Sequence, residues 1–65
     1  MAHTILRIPA VKLRTALSRS SIYKLVAAGK FPRPIRLGPR SVGWIEAEVD
    51  EWLDRRIAES RGSAG

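Results

Sequence analysis

Ile22, Leu25 and Val26 stand at i, i+3 and i+4, the spacing of one helical face, with Ser18 in front as an N-cap and Gly29 behind as a left-handed stop. This spacing predicts a helix over 19–28. A less regular segment opens at Pro9, a residue suited to the first helical turn, and predicts a short helix over 9–15 with Val11 and Leu13 as its apolar contacts. Only Ala16, Leu17 and Ser18 separate the two, so they must cross in a close helix–turn–helix.

Pro32 and Pro34 keep the segment 30–34 extended. Ile35-Arg36-Leu37 and Val42-Gly43-Trp44 then alternate on either side of Gly38-Pro39-Arg40-Ser41, which predicts a hairpin with a four-residue loop. An isolated hairpin is marginal, so Ile35, Leu37, Val42 and Trp44 are expected to lean on the helices, with Arg36 facing outward. Val49, Trp52, Leu53 and Ile57 form the clearest stripe and predict a third helix, with acids crowding its first turns and Arg55 and Arg56 late. Trp44 and Trp52 are both read as core. The organisation is a flexible or extended lead-in over 1–6, one domain over 7–58 and a disordered tail over 59–65.

Helix, tight turn, helix, hairpin, helix is the order of a winged helix–turn–helix, mainly α with a small β-hairpin. At 65 residues the chain holds one domain, and a domain of that size buries only about 60% of the surface its unfolded chain exposes. There is no cysteine, and His3 has no companion ligands, so neither a metal nor a cofactor is expected. No histidine or thiol stands beside a base and no glycine-rich loop could cradle a phosphate, so the chain is not expected to be an enzyme. No apolar run approaches the roughly 20 residues of a membrane span and no signal-peptide core is visible, which predicts a cytoplasmic protein with no membrane partner.

Charge layout narrows the partner. The net charge is +6, but up to Ile45 there are nine cations and no acid, whereas from Glu46 onward six acids face three arginines. Such asymmetry predicts a polyanion met by the first two-thirds of the chain. At about 100° per residue, the inward stripe of the second helix leaves Ser20, Lys24 and Ala27 pointing away, with Tyr23 beside them and Arg19 at the N-terminal end. This small, polar face suits the major groove. Ser18, Ser20 and Ser21 offer hydroxyls to backbone phosphates at the helix N-terminus, although Ser18 serves equally well as a plain cap. Arg40, with Ser41, stands at the hairpin tip to clamp a phosphate or enter a minor groove, while Lys30, Arg33 and Arg36 are supporting phosphate contacts.

The combination of Leu17-Ser18-Arg19-Ser20-Ser21-Ile22-Tyr23, Gly29-Lys30-Phe31-Pro32-Arg33-Pro34-Ile35-Arg36-Leu37-Gly38 and Val42-Gly43-Trp44, followed by Glu48-Val49-Asp50-Glu51-Trp52-Leu53, resembles the AlpA-type prophage regulators from about Arg7 to Ile57. The resemblance implies a MerR- or excisionase-like winged helix whose DNA-reading helix is 18–28 and whose wing is 38–41. Two positions depart from the family pattern: Ala16 stands where glycine is common, and Ser21 where threonine is usual. The first makes a positive φ in the turn less comfortable.

The expected function is sequence-specific binding of double-stranded DNA, as a transcriptional regulator of a phage or mobile element. An excisionase assisting an integrase is the alternative of the same class, and a protein–protein adaptor or inhibitor that of another. A single module offers only about 600–1,000 Å² of interface. Expected partners therefore include further copies on adjacent sites and an integrase or RNA polymerase.

Overall fold

The computed structural model describes residues 3–64, the side chains of residues 63 and 64 excepted; Met1, Ala2 and Gly65 lie outside the described residues. The elements are β1 (Ile5–Leu6), α1 (Ile8–Thr15), α2 (Arg19–Ala27), β2 (Ile35–Gly38), β3 (Ser41–Ile45) and α3 (Glu46–Ala64). Three helices and a three-stranded antiparallel sheet in this order form a winged helix–turn–helix, mainly α with a β-hairpin.

α1 starts with Pro9 in its first turn and ends on Ala16, whose backbone is left-handed at φ 59°, ψ 22°. Ala16 N–H closes the helix on the Lys12 carbonyl at 2.8 Å. The Thr15 hydroxyl braces the corner, donating to the Val11 carbonyl at 2.8 Å and accepting from the Leu17 N–H at 3.3 Å. α2 ends in a Schellman turn: Gly29 N–H reaches Val26 O, Lys30 N–H reaches Leu25 O, and Gly29 takes φ 73°. α3 begins directly at the end of β3, where Glu46 N–H, lacking an intrahelical partner, donates to the Thr4 carbonyl at 2.8 Å.

Leu6, Val11, Ile22, Phe31, Trp44 and Val49 form the core, with Leu25, Val26, Val42, Trp52 and Leu53 packed against it. All four aromatic residues lie in one edge-to-face chain, Tyr23–Trp44–Phe31–Trp52, with centroids 6.1, 6.5 and 4.8 Å apart. This chain runs from α2 through β3 and the connecting segment to α3.

Several expectations are corrected. Val11 is fully buried but Leu13 is 86% exposed; Ile8 and Ala10 pack on the core from α1 instead. The lead-in is extended at residues 5–6, as one of its two expected forms, but there it joins the domain as a strand, with Ile5 opposite Ile45 and Leu6 opposite Trp44 on the edge of β3. The hairpin loop tightens to Pro39 and Arg40, because Gly38 and Ser41 already pair, and an irregularity at Leu37 absorbs the odd residue. α3 continues to Ala64, through the segment expected to be a disordered tail. No proline interrupts it, Arg56 and Glu59 pair at i, i+3, and extending a formed helix costs far less than nucleating one.

Val42 and Trp44 lean on the helices as expected, but the faces of β2 are reversed. Ile35 pairs with Gly43 and Arg36 with Val42, so Arg36 shares a face with Val42, Trp44 and Leu6, the face on which the Tyr23 ring of α2 packs. Ile35 and Leu37 lie on the opposite side beside Gly43 and Ile5, and they are 38% and 47% exposed. Both strand parities carry apolar residues, so the pattern alone did not fix which side met the helices.

Candidate nucleic-acid interface

Local chemistry sets the entry into α2. Ser18 Oγ accepts from Ser21 N–H at 3.2 Å and donates to Ser21 Oγ at 3.0 Å, so Ser18 is a formed cap and Ser21 is tied to it. Ile22 is fully buried against the core, which turns Arg19, Ser20, Tyr23, Lys24 and Ala27 outward, all of them exposed. The Arg19 guanidinium lies over the Tyr23 ring, 5.7 Å from its centroid, and the Tyr23 and Trp44 rings meet edge to face.

The hairpin of β2 and β3 carries the wing residues. Arg36 and Arg40 are exposed, Ser41 is half-buried, and the Arg36 guanidinium reaches back to the Pro39 carbonyl at 3.5 Å, at the tip of the turn that carries Arg40. Arg36 projects from the sheet face on which the Tyr23 ring of α2 packs.

Lys30 and Arg33 fall elsewhere. They line a groove of about 890 Å³ between the connecting segment and α3, with Trp52 in its wall and Glu48, Glu51 and Glu59 of α3 along it. Two indoles fasten the connecting segment: Trp44 Nε1 donates to the Pro32 carbonyl at 2.9 Å and Trp52 Nε1 to the Lys30 carbonyl at 2.7 Å. Sequence reasoning identified both tryptophans as core but missed these bonds, since nothing local marks a carbonyl 12 or 22 residues distant as the partner.

Charge is sorted as well as placed. Of the nine cations up to Ile45, Arg14 alone forms an ion pair among the described residues, to Glu46 at 2.6 Å and Asp50 at 2.8 Å. The Glu46 carboxylate, with Asp50 adding to it, holds the Arg14 guanidinium above its ordinary range, so it is fully charged. This bridge ties α1 to the acidic start of α3. Glu51 pairs with Arg55 and Glu59 with Arg56 within α3 itself. The acids are thus drawn together on α3, and the cations of α2 and the wing are left without ionic partners in the described chain. No described group of histidines or carboxylates is arranged to hold a metal. No described helix is long and apolar enough to cross a membrane.

A helix–turn–helix with an arginine-bearing wing and an unneutralised basic face defines the class: a small winged helix–turn–helix protein. The family model described as "Prophage CP4-57 regulatory protein (AlpA)" matches residues 4–57. The chain is 47% identical over 58 residues to the "DNA-binding transcriptional activator AlpA" of Escherichia coli (strain K12), covering 80% of this chain and 83% of that protein. It is also 45% identical over 53 residues to an uncharacterized protein, ORF88, of Enterobacteria phage P4, covering 82% of this chain and 60% of that one. The chain belongs to the AlpA family of prophage regulatory proteins.

Proposed function

We propose that this protein binds double-stranded DNA sequence-specifically and regulates transcription from a phage or other mobile element. α2 enters the major groove, with Arg19, Ser20, Tyr23 and Lys24 on the groove face and Ser18 and Ser21 at the backbone. Arg40 and Ser41 meet the adjacent minor groove or phosphates, and Arg36 a phosphate between them. Lys30 and Arg33 make outlying phosphate contacts from a groove whose Glu51 and Glu59 are already paired with Arg55 and Arg56. The observation that carries the reading is the sorted charge: cations without ionic partners on α2 and the wing, and acids gathered on α3. The relative named as a DNA-binding transcriptional activator supports regulation over excision.

On this reading the protein works in the cytoplasm, bound to the nucleoid. A face this small gains occupancy from further copies on neighbouring sites or from contact with an integrase or RNA polymerase.

The test is a titration of a natural upstream duplex and a scrambled one across a range of salt. Sequence-specific binding predicts tighter binding to the natural duplex, with log affinity falling linearly with log salt. Equal affinity for both duplexes would remove the specificity, and a flat salt response would remove the DNA surface itself. Footprints over a promoter rather than an attachment site separate the regulator from an excisionase.

A further inference from the structure

Tyr23 occupies the middle of the outward face of α2, yet its ring has two partners. The Arg19 guanidinium lies over it at 5.7 Å, and it meets the fully buried Trp44 edge to face at 6.1 Å and 62°. Among the described residues its hydroxyl makes no hydrogen bond, so the ring, not the oxygen, makes Tyr23's contacts. Arg19 and Tyr23 stand one helical turn apart, at i and i+4, where side chains of a helix overlie one another. A long arginine on a surface helix ordinarily samples many rotamers, and ordering it on binding costs affinity. Here a ring packed against the buried Trp44 restricts that sampling before any partner arrives.

We propose that Tyr23 is a positioning residue: it holds the guanidinium of Arg19 so that its planar fork meets the edge of a guanine in the major groove. This rests on the DNA-binding reading above and adds the base that is read and the residue that sets up the reading. Arg19 is the first residue of α2, and in helix–turn–helix proteins the N-terminal residues of the second helix meet base edges. A guanidinium stacked on one face keeps its donor edge open, and guanine O6 and N7 are the acceptors that match that fork.

The experiment is selection of duplexes from a randomised pool by the full chain and by its Arg19→Ala, Tyr23→Phe and Tyr23→Leu variants, followed by affinities on the wild-type consensus. The expected result is a guanine in the wild-type consensus that becomes random with Arg19→Ala, weakens with Tyr23→Leu and persists with Tyr23→Phe. Tyr23→Leu loses about two- to fivefold in affinity, the scale of one exposed cation–π contact, and loses nothing further in the Arg19→Ala background. A thermal melt of each variant confirms folding, and Tyr23→Phe keeps the ring if Tyr23→Leu proves unstable. If Tyr23→Phe weakens binding as much as Tyr23→Leu, the hydroxyl contacts DNA and the positioning role is wrong. Additive losses from Tyr23 and Arg19, or a consensus unchanged by Arg19→Ala, overturn it equally. If the wild type enriches no consensus and its binding ignores salt, the DNA reading falls and this proposal with it.

Discussion

The indole N–H of Trp44 donates to the carbonyl of Pro32 at 2.9 Å, binding the middle strand of the sheet to the segment that leaves the second helix. Trp44 is fully buried and Pro32 half-buried, so water reaches this carbonyl poorly when the donor is lost. The equivalent bond from Trp52 to the Lys30 carbonyl lies at a half-buried position, where solvent has access.

Trp44→Phe is therefore expected to cost about 1–3 kcal/mol from the orphaned carbonyl, in addition to lost packing. Trp52→Phe should cost less than about 1 kcal/mol by the same logic, because water satisfies the exposed carbonyl. Denaturant melts of the two variants check the order, and equal losses would show that the difference in burial is irrelevant.

Ala16 holds φ 59° without being glycine. A left-handed residue with a Cβ costs about 1–2 kcal/mol, and glycine returns part of that gain as chain entropy, about 0.5–1 kcal/mol. Ala16→Gly should stabilise the domain by about 0.5–1 kcal/mol, a rise of about 3–8 °C in Tm for so small a domain. A fall in Tm would mean the Thr15 bonds already relieve the strain.

A Cβ on Gly43 would collide with Cγ2 of Ile5, and it would stand 3.1 Å from Leu37 Cδ1 and 3.2 Å from the Leu6 carbonyl oxygen. Ile5 is β-branched and rotates poorly out of the way. Gly43→Ala should destabilise by about 1–3 kcal/mol, as overpacking does. Combining it with Ile5→Ala should recover part of that loss, and a double-mutant cycle measures the coupling.

Arg40 and Arg14 make a contrasting pair. Arg40→Ala should leave the melt unchanged, weaken duplex binding across sequences and lower the salt slope by about 1. Arg14→Ala removes the bridge from α1 to Glu46 and Asp50 and should lower Tm while leaving the salt slope intact. The reverse pattern would exchange the roles assigned to the two arginines.

What the sequence made legible was short in range. The Ile22/Leu25/Val26 stripe, the Ser18 cap and the Gly29 stop specify the second helix within a dozen residues, and the structure forms all three. The strand at Ile5–Leu6 was illegible because two residues have no period, and its existence depends on a partner forty residues away. The packing of Ile8 on the core in place of Leu13 follows from how α1 rolls on it, and the Ile35/Leu37 side from a one-residue choice of register. In the candidate interface, Arg14 looked like any other cation, and only the tertiary bridge to α3 distinguishes it from Arg19 or Arg40.

The two indole bonds have one more consequence. Because Lys30 and Pro32 are both fastened from behind, the segment joining α2 to the hairpin is tied to α3 and β3 and is not a free linker. A restrained span tolerates little variation in the spacing of the grooves it meets. On the proposed function, fitting must then come from the DNA, and stretches of duplex that bend or narrow easily at that span will be preferred even at positions no side chain touches.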